Sequence, residues 1–316
     1  MAAAHYLALT GGVGGAKLAL GLSRLLEPDQ LRFVVNTGDD FDHLGLHISP
    51  DIDTLIYTLA GLCNTETGWG RANESWQFMT ALSQLNGEDW FRLGDRDLAM
   101  HIERTRRLAA GMDLTRVIRE LAGALGVRHP ILPMTDDPVR TTVDTAQGEL
   151  AFQHYFVRDR CAPAVTGVRF VGAEQARLSP SLSEALRDPA LAGVIVCPSN
   201  PYLSIDPILA VPPLRAALTN LQVPVVAVSP IVAGAAIKGP TAKMMRELDI
   251  PNTAVEIARY YRSWIDGFIL DEADRALEDE VQALGLATVV TRTVMVSLED
   301  RVALAREALQ LIDQPS

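Results

Sequence analysis

The chain opens on an apolar run, a glycine turn, a helical repeat and a second apolar run. Tyr6-Leu7-Ala8-Leu9 leads into Gly11-Gly12-Val13-Gly14-Gly15. Leu18, Leu22, Leu25 and Leu26 then recur at helical spacing, and Glu27-Pro28-Asp29 stops that helix. Phe33-Val34-Val35 reads as a second buried strand. Parallel strands joined through a helix need a crossover, which is right-handed in nearly all proteins. The C-terminal third repeats the alternation, with strands predicted at 194–197, 225–228, 267–270 and 288–290. Helices are predicted over 207–218, 242–248, 254–264 and 298–312. Strands this apolar belong to sheets covered by helices on both faces. The pattern predicts an α/β fold, Rossmann-like and doubly wound, with a mainly parallel sheet.

The middle of the chain breaks this rhythm. Residues 73–125 read as helical, with polar turns at Asn86-Gly87 and Gly111-Met112-Asp113. Residues 140–170 read as strands, with 141–145 and 150–157 joined by Ala146-Gln147-Gly148 into a hairpin. The expectation is one domain over 1–316. Its core is formed by about 1–60 and 188–316, and about 61–187 form a helical and β-hairpin insertion.

Composition narrows the function. Of 316 residues, 48% are hydrophobic and 21% charged, enough to bury a sizeable core. The net charge of −11 disfavours nucleic-acid phosphates, though a local site or a bound metal can still hold a small anion. No apolar run is long enough to span a membrane, and no basic stretch precedes a cleavable apolar one. Cys63, Cys161 and Cys197 form no CxxC pair, which suggests neither a zinc ribbon nor a disulfide framework. A cytoplasmic protein is expected.

Six segments carry candidate chemistry. In Thr10-Gly11-Gly12-Val13-Gly14-Gly15-Ala16-Lys17, glycines between strand and helix let backbone N–H groups approach an anion. The same string also suits an ordinary tight turn. It matches neither GxxxxGK[ST] nor GxGxxG, and no acid clearly ends the second strand, so phosphate is favoured over nicotinamide. Asn36-Thr37-Gly38-Asp39-Asp40-Phe41-Asp42 lies just past that strand, and Asp51 and Asp53 follow. Carboxylates so close repel one another unless they are solvated or bind a cation such as Mg²⁺. A solvated loop with a helix cap is the alternative.

Asp97 and His101, in Gly94-Asp95-Arg96-Asp97-Leu98-Ala99-Met100-His101, share a helix face. Met134, Thr135, Asp136 and Asp137 lie between Pro133 and Pro138 in a rigid segment. Ser199 and Asn200 leave another buried strand and suit either a nucleobase edge or a helix cap. Ser229, Lys238 and Lys243 follow a further strand. His5, His129 and His154 have no partner in local sequence, and His43 and His47 lack the HExxH helix of a zinc protease.

Seven stretches in this order resemble the 2-phospho-L-lactate transferase family. They are LTGGVGGAKLALGL, VVNTGDDFDHLGLHISPDIDT, LGDRDLAMH, ILPMTDDPVRT, CPSNPYLSI, VAVSPIVAGAAIKGPTAK and FILDEADRA, spread over about residues 5–310. The resemblance implies Mg²⁺-dependent transfer of a three-carbon organophosphate from a GDP-activated donor. The acceptor is the deazaflavin Fo, 7,8-didemethyl-8-hydroxy-5-deazariboflavin, and GMP is released in coenzyme F-420 biosynthesis.

It assigns Gly11, Gly12, Gly14, Gly15 and Lys17 to the donor's phosphates, and Ser199, Asn200, Ser229 and Lys243 to the guanosine. Mg²⁺ falls to Asp39 or Asp40 with Asp51 or Asp53, and one of Asp39, Asp40 and Asp53 would orient the attacking hydroxyl. Asp95, Asp97, His101, Met134, Thr135, Asp136 and Asp137 would line the deazaflavin side. A homodimer is expected. A related group of nucleotide-sugar-binding regulators shares several of these strings and performs no transfer.

Overall fold

A computed structural model describes residues 4–66, 68–236 and 239–314. The first strand, β1 (His5–Thr10), passes through the glycine turn into α1 (Gly12–Leu22) and returns as β2 (Leu31–Val35). A small hairpin follows, β3 (Phe41–His43) with β4 (Leu46–Ile48), and then α2 (Pro50–Leu59). Three helices come next, α3 (Gln77–Gln84), α4 (Asp95–Ala109) and α5 (Leu114–Ala124), and lead to β5 (Ile131–Pro133). A three-stranded antiparallel sheet is built from β6 (Arg140–Thr145), β7 (Gly148–Ala151) and β8 (Val165–Val171).

The chain re-enters the central sheet through α6 (Pro180–Arg187) and β9 (Leu191–Val196). It continues with α7 (Asp206–Leu209), α8 (Pro212–Thr219), β10 (Val225–Val228) and the short hairpin β11 (Ile231–Val232) and β12 (Ala235–Ala236). The last elements are α9 (Thr241–Glu247), α10 (Ala254–Tyr261), β13 (Gly267–Asp271), α11 (Glu278–Gln282), β14 (Ala287–Thr291) and α12 (Leu298–Ile312).

The central sheet has seven parallel strands in the order β14-β13-β10-β9-β1-β2-β5. Alternate residues of each strand feed two separate cores. Leu7, Leu9, Val34, Val194 and Ala227 face one side with α8 and α10, and Ala8, Phe33, Val35, Ile195 and Val226 face the other with α1, α5 and α12. The fold is therefore α/β and doubly wound. The strand order reverses between β1 and β9, and in open sheets of this kind ligands bind beyond the strand C-termini at that point. No helix among the described residues is long and apolar enough to cross a membrane.

The structure corrects the sequence reading in four places. The sheet takes β5 from inside the expected insertion, and α5 packs into the α1–α12 core, so that boundary moves. The second hairpin strand stops at Ala151, and a π-turn over His154–Arg158 replaces its end. Phe152 and Phe156, four residues apart, stack at 5.3 Å, which is helical rather than strand spacing. The helix expected over 207–218 is two helices, because Pro212 keeps Val211 extended (φ −77°, ψ 105°). The hairpin of β3 and β4 was not predicted. Its turn is Leu44-Gly45, both at positive φ, without the usual Asn-Gly signal.

α1 lies close against the start of α12. A Cβ on Gly21 would stand 2.1 Å from the Arg301 carbonyl oxygen, so the helices approach this closely only with glycine there. Gly21→Ala is expected to lower stability by about 1–3 kcal/mol through overpacking. Urea unfolding measures this, and an unchanged midpoint would contradict the packing.

Candidate functional site at the strand C-termini

The glycine turn is pressed between two other segments that leave the same sheet edge. Gly14 lies under the Pro198 carbonyl, where a Cβ would sit 2.3 Å from the oxygen. The Gly11 N–H donates to Ser199 Oγ (3.2 Å), and the Gly12 N–H donates to Asp51 Oδ1 (2.8 Å). In this turn Gly12 alone adopts a left-handed φ, +64°, and a Cβ there would meet only Asp51 Oδ1, at an ordinary contact of 3.9 Å. The N-cap of α1 is Gly11, which has no side chain to satisfy the following first-turn amides. Those amides and the helix dipole make an anion-binding terminus.

Asn36 ties the acidic segments to this turn. Its Nδ2 donates to Asp51 Oδ2 (3.0 Å) and to the Leu203 carbonyl (3.1 Å), and its Oδ1 accepts from the Gly38 N–H (2.7 Å). Asp39, Asp40, Asp51 and Asp53 are all buried. Burial pushes the Asp39 carboxyl well above the ordinary range, and the charges of Asp51 and Asp40 push it further. Burial raises Asp51 to about 6, against the hydrogen bonds from Asn36 and Gly12. Asp40 Oδ2 accepts from Ser49 Oγ (2.7 Å) and faces His47 Nε2 (3.1 Å). Asp39 Oδ1 and Asp40 Oδ1 are buried without a hydrogen-bond partner.

Such oxygens are unfavourable unless a cation or donor reaches them. No group of three His, Cys, Asp or Glu among the described residues stands at metal-ligand spacing. Mg²⁺ bound by one or two carboxylates plus phosphate oxygens needs no such group, and the unpartnered oxygens fit that mode.

Asp53 has a different setting. Its Oδ1 is paired with Arg104 Nη2, and its Oδ2 faces His101 Nδ1 at 3.7 Å. Burial raises its carboxyl, while Arg104 and His101 oppose the rise. His101 Nε2 lies 3.3 Å from Asp97 Oδ2, and the Tyr57 hydroxyl donates to Asp97 Oδ1 (2.5 Å). At Asp97 burial acts upward, but His101, Tyr57 and Arg104 together hold the carboxyl below its usual range.

Most other sequence candidates have structural partners. Lys17 Nζ donates to the Met295 carbonyl (2.9 Å). Asn200 Oδ1 caps the next turn by accepting from the Tyr202 and Leu203 N–H groups (3.0 and 3.2 Å). Ser229 Oγ donates to the Ile231 carbonyl (2.8 Å). Lys243 is held by Glu247 and the Pro163 carbonyl (2.7 and 2.9 Å), and Lys238 lies outside the described residues.

Met134 is in the core, Thr135 donates to the Arg177 carbonyl, Asp136 accepts from the Thr115 N–H, and Asp137 pairs with Arg177. Asp95 accepts from Ser75 Oγ and from the N–H groups of Gln77 and Phe78. Glu74 in turn accepts from the N–H groups of Arg96 and Asp97, and Asp95 N donates to the Ser75 carbonyl. The starts of α3 and α4 thus cap each other.

Sequence reasoning missed the aromatic wall beside Asp40. Phe41 meets Phe91 edge-on at 4.8 Å, His43 meets Trp90 at 5.1 Å, and Trp90 meets His154 at 4.8 Å. The adjacent Trp90-Phe91 pair was the available signal. His43 and His154 find their ring partners only in the fold.

A family model described as "2-phospho-L-lactate transferase CofD" matches residues 7–310. A protein named phosphoenolpyruvate transferase from Streptomyces griseus is 40% identical, covering 97% of this chain and 98% of its own. Proteins named 2-phospho-L-lactate transferase are 36% identical in Methanosarcina mazei (95% and 98% covered) and 38% in Methanopyrus kandleri (97% of each). A crystal structure of a UPF0052 family member from Bacillus halodurans superposes with a TM-score of 0.63 at 15% identity, covering 98% of this chain and 99% of the other, and shows the same fold.

Proposed function

The chain belongs to the 2-phospho-L-lactate transferase CofD family, and from that premise we propose that it joins a three-carbon organophosphate to the deazaflavin Fo. The donor is the GDP-activated acid, carrying a phospholactyl, phosphoenolpyruvyl or phosphoglyceryl unit. The Fo side-chain hydroxyl attacks the distal phosphorus. A new P–O bond forms, the bond to the bridging oxygen breaks, and GMP leaves with that oxygen. The hydroxyl proton passes to a carboxylate at Asp39 or Asp40. No covalent enzyme intermediate is required, so positioning and charge neutralisation carry the rate.

The observation that carries this reading is Asp51, which joins the phosphate turn at Gly12 to Asn36 and the carboxylate group. An anion terminus and unpartnered buried carboxylates stand side by side there, as a diphosphate with a divalent cation requires. Mg²⁺ would be held by Asp39 and Asp40, whose Oδ1 atoms lack hydrogen-bond partners, together with phosphate oxygens, and would neutralise the diphosphate. The first-turn amides of α1 bind its oxygens, and Ser199 fixes the turn through Gly11. The wall of Phe41, Trp90 and Phe91 offers the flat acceptor edges and faces to stack on.

The test combines purified protein, Mg²⁺, Fo and the three guanylated donors. GMP release that depends on Fo is expected, and competition among the donors assigns the acid. Absence of Fo binding by fluorescence titration, with or without GDP, would sink the proposal in favour of a non-catalytic nucleotide binder.

A further inference from the structure

The start of the π-turn sets two neighbouring side chains against two different parts of the site. Gln153 is buried, and its Nε2 donates to the Asp39 carbonyl (3.3 Å). His154, the next residue, meets Trp90 edge-on at 4.8 Å. The segment is anchored on either side of this pair, because Phe152 and Tyr155 are buried in the core. The Asp159 N–H closes the turn on the His154 carbonyl (2.8 Å). A fixed stretch of backbone thus holds the imidazole between the acid loop and the aromatic wall.

Trp90 touches a second imidazole, that of His43, at 5.1 Å. The two histidines differ in what they leave open. His43 is buried, and its Nε2 is shut away from solvent without a partner. His154 is half-buried. Among the described residues neither of its ring nitrogens has a hydrogen-bond partner, and neither is sealed from solvent. Asp159, whose charge lies nearby, is paired with Arg158 (2.8 Å). Packing on Trp90 needs only a ring. A ring with an unused donor and acceptor on its rim can also read a polar ligand edge.

We propose that His154 is a specificity-determining residue for the acceptor, hydrogen-bonding the polar rim of its ring while Phe41, Trp90 and Phe91 take the apolar part. The inference rests on the acceptor stacking proposed above. A deazaflavin such as Fo carries a hydroxyl on one edge and a pyrimidinedione on the other, with two carbonyls flanking an N–H. Either edge suits a neutral imidazole, in which one nitrogen donates and the other accepts. Gln153 holds the Asp39 backbone one residue away. Seating the ring at His154 therefore also sets where the acceptor's hydroxyl chain meets the carboxylates.

The test is fluorescence titration of Fo, with steady-state kinetics, on His154→Phe and His154→Gln, and circular dichroism to check the fold. Phenylalanine keeps a ring against Trp90 and loses the hydrogen bond; glutamine does the reverse. His154→Phe is expected to weaken Fo binding about five- to tenfold and to raise the acceptor KM to match, with kcat and donor KM near wild type. His154→Gln should stay within about twofold of wild type. A folded His154→Phe that binds Fo as tightly as wild type would overturn this inference alone. So would His154→Gln binding more weakly than His154→Phe, since packing on Trp90 would then be the whole role. A wild-type protein that binds no Fo would overturn the acceptor reading itself, and this inference with it.

Discussion

Asp51→Asn is expected to lower turnover by about 10²–10³-fold while leaving the protein folded. The substitution removes the charge that would face the donor's cation, and it also disturbs the link between the turn and Asn36. Asparagine can still accept from the Gly12 N–H through its oxygen. Its NH₂ group then opposes the Asn36 NH₂, which cannot turn round freely because its own oxygen accepts from Gly38. That mismatch costs about 1–3 kcal/mol. Against it stands relief of the burial that raises the Asp51 carboxyl to about 6. The two effects oppose each other, so the unfolding midpoint should move little. GMP release in the presence of Fo and Mg²⁺ is the measurement. Near-normal turnover in a folded Asp51→Asn protein would remove this residue from the mechanism.

Gly14→Ala is expected to reduce both stability and nucleotide binding, by about 1–3 kcal/mol in unfolding free energy. The new methyl would meet a backbone carbonyl, that of Pro198, at 2.3 Å. That backbone has little room to retreat. Ser199 holds the Gly11 amide, and Asn200 caps the turn that follows. The glycine helix start must therefore shift, and its first-turn amides shift with it. Gly12→Ala is the instructive control. Its methyl would make only an ordinary contact with Asp51 Oδ1 at 3.9 Å, so the main penalty is the left-handed backbone, about 1 kcal/mol. Urea unfolding and GDP titration compare the two. A Gly12→Ala effect equal to or larger than that of Gly14→Ala would show that conformation, and not close approach to Pro198, dictates the glycines.

The central sheet was legible because its inner strands are short apolar runs buried on both faces, and burial of that kind is written in local sequence. Ile131 and Leu132 were harder, because the edge strand they form is only three residues long and ends in proline. The acidic segments were legible as a cluster, since Asp39 to Asp42 and Asp51 to Asp53 are dense in charge. Their division of labour was not legible. It depends on Arg104, fifty-one positions from Asp53, reaching one carboxylate and not its neighbour on the same helix. Asn200 and Asp95 illustrate the opposite failure. Each stands in a motif that suggests ligand contact, and each caps a turn or a helix. Capping and ligand binding call for the same short polar side chains, so composition alone does not separate them.

The paired caps at Glu74 and Asp95 fasten the two ends of the segment between them to each other, where Asp95 N meets the Ser75 carbonyl. Inside it, Met79 and Leu93 form one buried cluster with Ile48 of β4, against which Phe41, Phe91 and Leu98 of α4 pack. A change inside the segment is therefore transmitted to the β3–β4 hairpin and to α4. Trp90 and Phe91, proposed above to stack on the acceptor, sit inside it. On that reading acceptor selectivity and the seating of Asp40 are mechanically linked, because Phe91 packs on Phe41, the residue next to Asp40.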